Sequence, residues 1–445
     1  MGYWTDGGKE IGVFGLGRSG RAAAALLNQR NFSVTGLDNR DDIADCSDCS
    51  RIVTGDEMRE CLEDLDGFVI SPGIDPASPL PVAAGELGIP VIGEIELAFR
   101  NTDIPVLAVT GSNGKTTTAE WLGYTLSKAG LNVCVAGNTG YPFCRAVLEN
   151  PDADFISLEV SSYQLQTIDT FRPLAAAILN ITPDHLQRHG NLEGYISAKA
   201  RIFMNQHGTD LLVLNRDDRG SIPLTGRTSG LEWYFGIGNS FEGGAFSEGN
   251  SIYYSDSGSR EFVINTGDIS LSGLHNLSNA LAVICLAGKA GLKPQEMVEG
   301  LSSFPGVPHR IELIRKYHGI SFVNDSKSTN PDSLNVALKS ISEPIVLIAG
   351  GLAKETDYSE LRSLITDRVK ALILIGDASD MLERCWSGTA PVFTECTLDN
   401  AVKRALDQSA DGDLVLLSPG CASFDQYSSF EERGEHFRKL VEDLN

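Results

Sequence analysis

At 445 residues the chain exceeds one ordinary domain and has length for about three, each burying its own core. Hydrophobic residues at 42%, charged residues at 21% and 46 glycines exclude a fibre or a disordered chain and point to an α/β or mixed globular protein rich in tight turns. A net charge of −23 repels a nucleic-acid backbone, so no nucleic-acid partner is expected, and any anionic ligand needs a locally basic pocket.

The opening stretch MGYWTDGGKEIGVFGLG lacks a basic region followed by an apolar run, and no segment reaches the roughly 18 apolar residues of a membrane span. A cytoplasmic protein with no membrane partner is therefore expected. The nine cysteines are scattered, and Cys46 with Cys49 lacks the second pair of a structural zinc site, so reduced, unligated thiols are expected.

The first predicted elements are an apolar strand at 11–14, a glycine turn, the helical pattern RAAAALLNQR and a strand at 32–37, which together open a βαβ unit. Gly15-Leu16-Gly17-Arg18-Ser19-Gly20 fits GxGxxG between that strand and helix, with Asp38 following 18 residues after the last glycine. Alone, the motif fits a nicotinamide dinucleotide, another nucleotide diphosphate, or a tight structural turn. Ser71-Pro72-Gly73 follows the apolar run 67–70, where a second loop would help hold a diphosphate. A further run at 89–92 and the helical pattern EIELAFR place the first boundary near residue 97.

The second segment opens with VLAVTGSNGKTTT, a strand, a loop and the start of a helix. Gly111 and Gly114 let the backbone N–H groups of Ser112, Asn113 and their neighbours approach phosphate oxygens at a helix N-terminus. Lys115 supplies a point charge, and the Thr116 hydroxyl is suited to a magnesium ion bridging phosphates, although the glycine spacing is shorter than GxxxxGK[ST]. The alternative is a glycine-rich turn with a solvated lysine. Glu159 ending DFISLEV, His185 in TPDHLQRH and Lys199 in YISAKARIF are candidates for a magnesium or manganese site beside this loop, with His185 equally readable as a core or capping residue. Strands near 133–136, 154–159 and 174–179 alternate with helices and predict parallel pairing; the short alternating runs of 220–272 predict antiparallel strands appended to that core.

A third segment begins at Phe304-Pro305-Gly306, with strands in ISFVND, PIVLIAGG, ALILIG and DLVLLSPG separated by helical patterns, again a parallel sheet. Asp325 suits ribose or metal, Lys327 phosphate charge, and Arg310 the arginine that stabilises a γ-phosphate, while each also reads as a surface turn residue.

Taken together, GSNGKTTT, LEVSSYQL, TPDHLQRH, AKARIF, HNLSNALA, PHRIE, NDSKSTNPDS and SPGCASFDQYSSFEERG resemble the Mur ligase family over nearly the whole chain. The likeness is strongest to the branch that adds D-glutamate to UDP-N-acetylmuramoyl-L-alanine in peptidoglycan precursor biosynthesis. It implies a three-domain α/β fold. Residues 1–97 would form a Rossmann-like domain for the UDP substrate, 98–305 an ATP-binding domain with a parallel sheet plus a small antiparallel sheet, and 306–445 a mobile Rossmann-like domain for the amino acid. ATP would lie on Gly111 to Thr117, with Asn276, Asn279, Arg310, Asp325 and Lys327 completing its site. Thr116, Glu159, His185 and a Lys199 carbamylated by carbon dioxide would hold two magnesium ions. The first glycine loop would grip UDP and no nicotinamide, through Leu16, Asp38, Asn39, Arg40, Ser71, Pro72 and Gly73, with Asn138, Ser161 and His185 near the muramoyl end. Thr329, Lys354, Ser423 and Phe430 would hold D-glutamate. The implied reaction passes through an acyl phosphate, with Lys115 and Arg310 screening charge, the third domain closing about 304–308, and the enzyme acting as a monomer.

Overall fold

The uninterrupted apolar runs VLAVT and IVLIAG form strands buried along their whole length, because crossover helices cover both faces of a parallel sheet and leave no polar face to show. A computed structural model describes residues 7–40, 43, 46–138, 140–184, 186–256, 258–353 and 357–444. The chain divides into two compact units, Met1–Pro305 and Gly306–Asn445.

The first unit holds two sheets. One is all parallel, built from β1 (Glu10–Phe14), β2 (Ser33–Asp38), β3 (Arg51–Thr54), β4 (Gly67–Ile70) and β5 (Val91–Gly93) in the order β3-β2-β1-β4-β5. The strand order reverses between β1 and β4, which opens a crevice at their carboxyl ends, where both predicted glycine loops lie. The helix Arg18–Gln29 presses its alanines into the core, and its first turn comes so close to β1 that a Cβ on Gly20 would stand 2.0 Å from the Gly15 carbonyl oxygen.

The second sheet has nine strands: β6 (Val106–Thr110), β7 (Val133–Gly137), β8 (Phe155–Glu159), β9 (Ala175–Ile178), β10 (His207–Asn215), β11 (Ser229–Ile237), β12 (Gly244–Glu248), β13 (Ser251–Asp256) and β14 (Ser259–Asn265). Their order is β14-β13-β12-β11-β10-β9-β6-β8-β7, parallel from β7 across to β12 and antiparallel from there. The run 220–272, expected to be antiparallel, is so only in the pairings β12–β13 and β13–β14, because β11 pairs parallel with both β10 and β12 and continues the parallel sheet. The switch point falls at β6, flanked by β8 and β9, and the phosphate-loop sequence leaves its carboxyl end.

Two carboxylates of the helix Glu94–Arg100 tie the sheets together. Burial alone would raise Glu96, but donations from the backbone of Asp169, Thr170 and Phe171, the Thr170 hydroxyl and Arg100 hold it below the ordinary carboxylate range. Glu94 receives the Cys144 amide at 2.6 Å on one oxygen while its other oxygen is buried without a partner, and burial pushes it up to about 7 from the ordinary 4.5. The folded state therefore holds this proton more tightly than the unfolded chain, so stability falls as pH rises from about 4.5 to 7. Glu94→Gln is expected to flatten that part of the Tm-against-pH curve, a difference on the order of 3 kcal/mol across the window. An unchanged slope in differential scanning calorimetry would exclude Glu94 as its source.

The second unit carries β15 (Glu312–Tyr317), β16 (Ile320–Asn324), β17 (Ile345–Gly350), β18 (Val369–Ile375), β19 (Val392–Thr394) and β20 (Leu414–Leu417), in the order β15-β16-β20-β17-β18-β19. All neighbours are parallel except the edge pair β15 and β16. No helix among the described residues is long and apolar enough to cross a membrane.

Candidate active site

The loop between β6 and the helix Lys115–Lys128 is shaped by its neighbours rather than by its own side chains. Gly114 caps the helix at φ +83°, a left-handed conformation that leaves the first helical N–H groups facing outward. A Cβ there would meet Asn279 Oδ1 at 2.5 Å. Asn180, at the end of β9, accepts the Ser112 amide on its carbonyl and the Asn113 amide on its side chain at 2.8 Å. Lys115 Nζ donates to the carbonyls of Gly111 (2.9 Å) and Ser112 (2.8 Å), so its charge lies along the loop. Thr116 and Thr117 are buried in the first turn.

Lys199 reaches the same loop from the helix Leu192–Ala200. Its Nζ donates to the Gly111 carbonyl at 2.8 Å and lies 4.5 Å from the centre of the Tyr195 ring, one helical turn earlier. Tyr195 and Ser112 hydroxyls are 3.1 Å apart, which fastens helix to loop. Only 1% of Lys199 is exposed; burial, then the like charge of Lys115, hold its ammonium well below the ordinary lysine range, against the pull of Asp184 and Glu159. Glu159 is equally buried: Oε1 accepts from Asn138 Nδ2 at 2.9 Å and Oε2 has no hydrogen-bond partner. A buried carboxylate oxygen left over and a buried threonine hydroxyl are oxygen donors of the kind a hard divalent cation takes. Among the described residues no three His, Cys, Asp or Glu side chains gather, and His185 lies outside them.

Asn138 also lines a cleft of about 500 Å³ at the switch point of the first sheet, which links the two sites. Asp38, Asn39, Arg40 and Ser71-Pro72-Gly73 line it together with Gly15, Gly17 and Gln164. Asp38 accepts the Leu16 amide at 2.8 Å and the Arg40 backbone and guanidinium; burial opposes ionisation, but these donors win and lower its proton affinity. Leu16 itself is buried, covering Gly36. Ser161 caps the helix Ser162–Leu165 in a reciprocal capping box with Gln164.

In the second unit Asp325 follows β16 and accepts the Ser418 hydroxyl at 2.7 Å; burial raises it to about 7, against the pull of Ser418 and Arg310. Lys327 Nζ lies 5.8 Å from the centre of the Phe430 ring, which opens the helix Phe430–Glu442. Ser423 is buried beyond β20, and Thr329 is half-buried after β16. Lys354 lies outside the described residues. On the first unit Asn276 and Asn279 share the helix Leu274–Lys289, with Asn279 against Gly114.

Sequence reasoning passed over Asn180, Tyr195 and Gln164, and also Arg18, which lines the cleft as well. Tyr195 was readable from its helical spacing to Lys199, and Arg18 from its place inside GLGRSG. Asn180 was not, because only the pairing of β9 with β6 brings it to the loop.

Comparison with known proteins matches three domain families in chain order. These are the Mur ligase MurD-like N-terminal domain over 9–93, the Mur ligase middle domain over 109–287 and the Mur ligase glutamate ligase domain over 309–421. The chain is 40% identical to the UDP-N-acetylmuramoylalanine--D-glutamate ligase of Thermoanaerobacter pseudethanolicus over 98% of its own length and 99% of that protein's. It is also 40% identical to the protein of the same name from Acidobacterium capsulatum, over 98% and 96%. Among solved structures, the UDP-N-acetylmuramate-alanine ligase of Thermotoga maritima shares the fold at TM-score 0.60 and 18% identity, covering 98% of this chain and 99% of that one. With such identity sustained from end to end and three domain matches in order, the chain belongs to the Mur ligase family.

Proposed function

We propose that the chain joins the carboxylate of UDP-N-acetylmuramoyl-L-alanine to the amine of D-glutamate with conversion of ATP to ADP and phosphate, in peptidoglycan precursor synthesis. The observation that carries this reading is Asn138, which lines the cleft of about 500 Å³ and whose side chain donates to Glu159 beside the phosphate loop. The substrate carboxylate attacks the γ-phosphorus, ADP leaves, and the amine then attacks the acyl carbon and expels phosphate. Several anionic groups must meet for the first step, so Lys115 and the loop amides are needed to offset their repulsion.

Thr116, Glu159, His185 and Lys199 are the residues assigned to magnesium, with manganese an alternative. Bound there, the cation would neutralise phosphate charge. Carbamylation of Lys199 is part of the proposal. Burial and Lys115 lower the proton affinity of the Lys199 amine; once deprotonated it can add carbon dioxide and lose a further proton, and the resulting anion would exchange repulsion from Lys115 for attraction. Arg310, Asp325, Lys327, Asn276 and Asn279 are assigned to the nucleotide, and Thr329, Lys354, Ser423 and Phe430 to D-glutamate. Action as a cytoplasmic monomer completes the reading.

The test is phosphate release from ATP over a panel of amino acids and UDP-linked acceptors. Release is expected only when UDP-N-acetylmuramoyl-L-alanine and D-glutamate are both present. No stimulation by that pair would overturn the assignment.

A further inference from the structure

Arg188 sits on the short helix Leu186–His189, directly after the segment bearing His185, with its side chain 14% exposed. Its guanidinium bridges two separate elements, the loop that carries Ile74 and Asp75 and the end of the helix Ser162–Leu165. Nη2 donates to the Ile74 carbonyl at 3.0 Å, Nη1 lies 3.0 Å from Asp75 Oδ2, and Nε donates to Gln166 Oε1 at 3.1 Å. The same group lies over the Tyr163 ring at 5.1 Å.

Each partner belongs to a part of the site. Ile74 and Asp75 continue the Ser71–Gly73 loop, and Ile74 itself lines the cleft. Asp75 is held from its other oxygen by the Ala77 amide at 2.8 Å, so its carboxylate is oriented toward the arginine. Gln166 ends the helix that Ser161 caps and that contributes Gln164 to the cleft. From Tyr163 the rings of His189 and Tyr195 follow at 5.7 and 5.3 Å, and Tyr195 carries Lys199. A planar fork of five donors suits these three contacts to two elements, which the single ammonium of lysine would not reproduce.

We infer that Arg188 is a positioning residue that couples occupancy of the cleft to the phosphate-loop site. The inference rests on the function proposed above. A ligand seated on Ser71–Gly73 bears on Ile74 and Asp75, and the guanidinium passes that constraint to the helices carrying Ser161 and Lys199.

The test is calorimetric titration of an unhydrolysable ATP analogue with magnesium, with and without UDP-N-acetylmuramoyl-L-alanine. In the wild type the UDP ligand is expected to tighten the analogue on the order of ten-fold. Arg188→Gln should reduce that to less than about two-fold while each ligand alone binds within about three-fold of wild type, a split that a general loss of structure would not give. Asp75→Asn should weaken the coupling part of the way, and the double variant should match Arg188→Gln alone. Coupling at the wild-type level in Arg188→Gln, or additive effects in the double variant, would overturn the inference. Should Arg188→Gln fail to fold, Asp75→Asn decides: undiminished coupling there overturns it. A wild type that binds neither ligand refutes the functional reading; one that binds both without coupling refutes only this inference.

Discussion

Lys199→Met is expected to lower ATP-dependent phosphate release by at least about 10²–10³-fold, the scale on which removing one preorganised charged or polar group acts in a water-excluded site. Lys199→Arg should be as inactive as Lys199→Met. If Lys199 served as a cation, arginine would retain the charge and much of the rate; if it serves as a carbamate, the permanently protonated guanidinium blocks the modification and adds a second positive charge near Lys115. Labelled bicarbonate should give the wild type a carbamate carbon signal that both variants lack, while the UDP substrate still binds because its cleft is lined elsewhere. Near-wild-type release by Lys199→Arg would rule out the carbamate.

Gly114→Ala is expected to lower kcat/KM for ATP by about 10²-fold or more, the usual consequence of displacing a binding loop by around 1 Å. Two causes act together. The residue occupies φ +83°, which costs an alanine about 1–2 kcal/mol. The new methyl would also lie 2.5 Å from Asn279 Oδ1, on a helix too well buried to yield. A flattened turn moves the N–H groups that open the Lys115–Lys128 helix, and a shifted Asn279 displaces the side chain packed against the loop. Binding of the UDP substrate measured by calorimetry should be unaffected. Unaltered ATP kinetics would mean that the left-handed cap has no role in phosphate binding.

The Glu94 and Glu96 pair illustrates what helical pattern reading misses. Both sit in EIELAFR, a helical pattern in which an acidic side chain is ordinarily solvated. The structure buries both, one satisfied by three backbone amides and the other left half-paired, because a neighbouring loop closes over the helix. Their environments are set by residues about fifty and seventy positions away, at Cys144 and at Asp169 to Phe171.

The sequence by itself determined the local elements and the chemistry they carry. Strand, glycine turn and helix follow one another within a few residues at 10–29 and 106–128, so propensity, glycine placement and periodicity suffice to read both loops. The motif blocks added the family, because eight of them occur in order. Only the tertiary structure decided which strand lies beside which. The order reversals at β1 and β6 place the two loops in crevices, and the pairing of β6 with β9 brings Asn180 to the phosphate loop. Tertiary packing also decided the state of Lys199: a lysine in a helix is ordinarily a solvated cation, and its low proton affinity comes from burial and from Lys115, which approaches from a different helix. Long-range contacts and desolvation are properties of the assembled sheet, and no short stretch of sequence contains them.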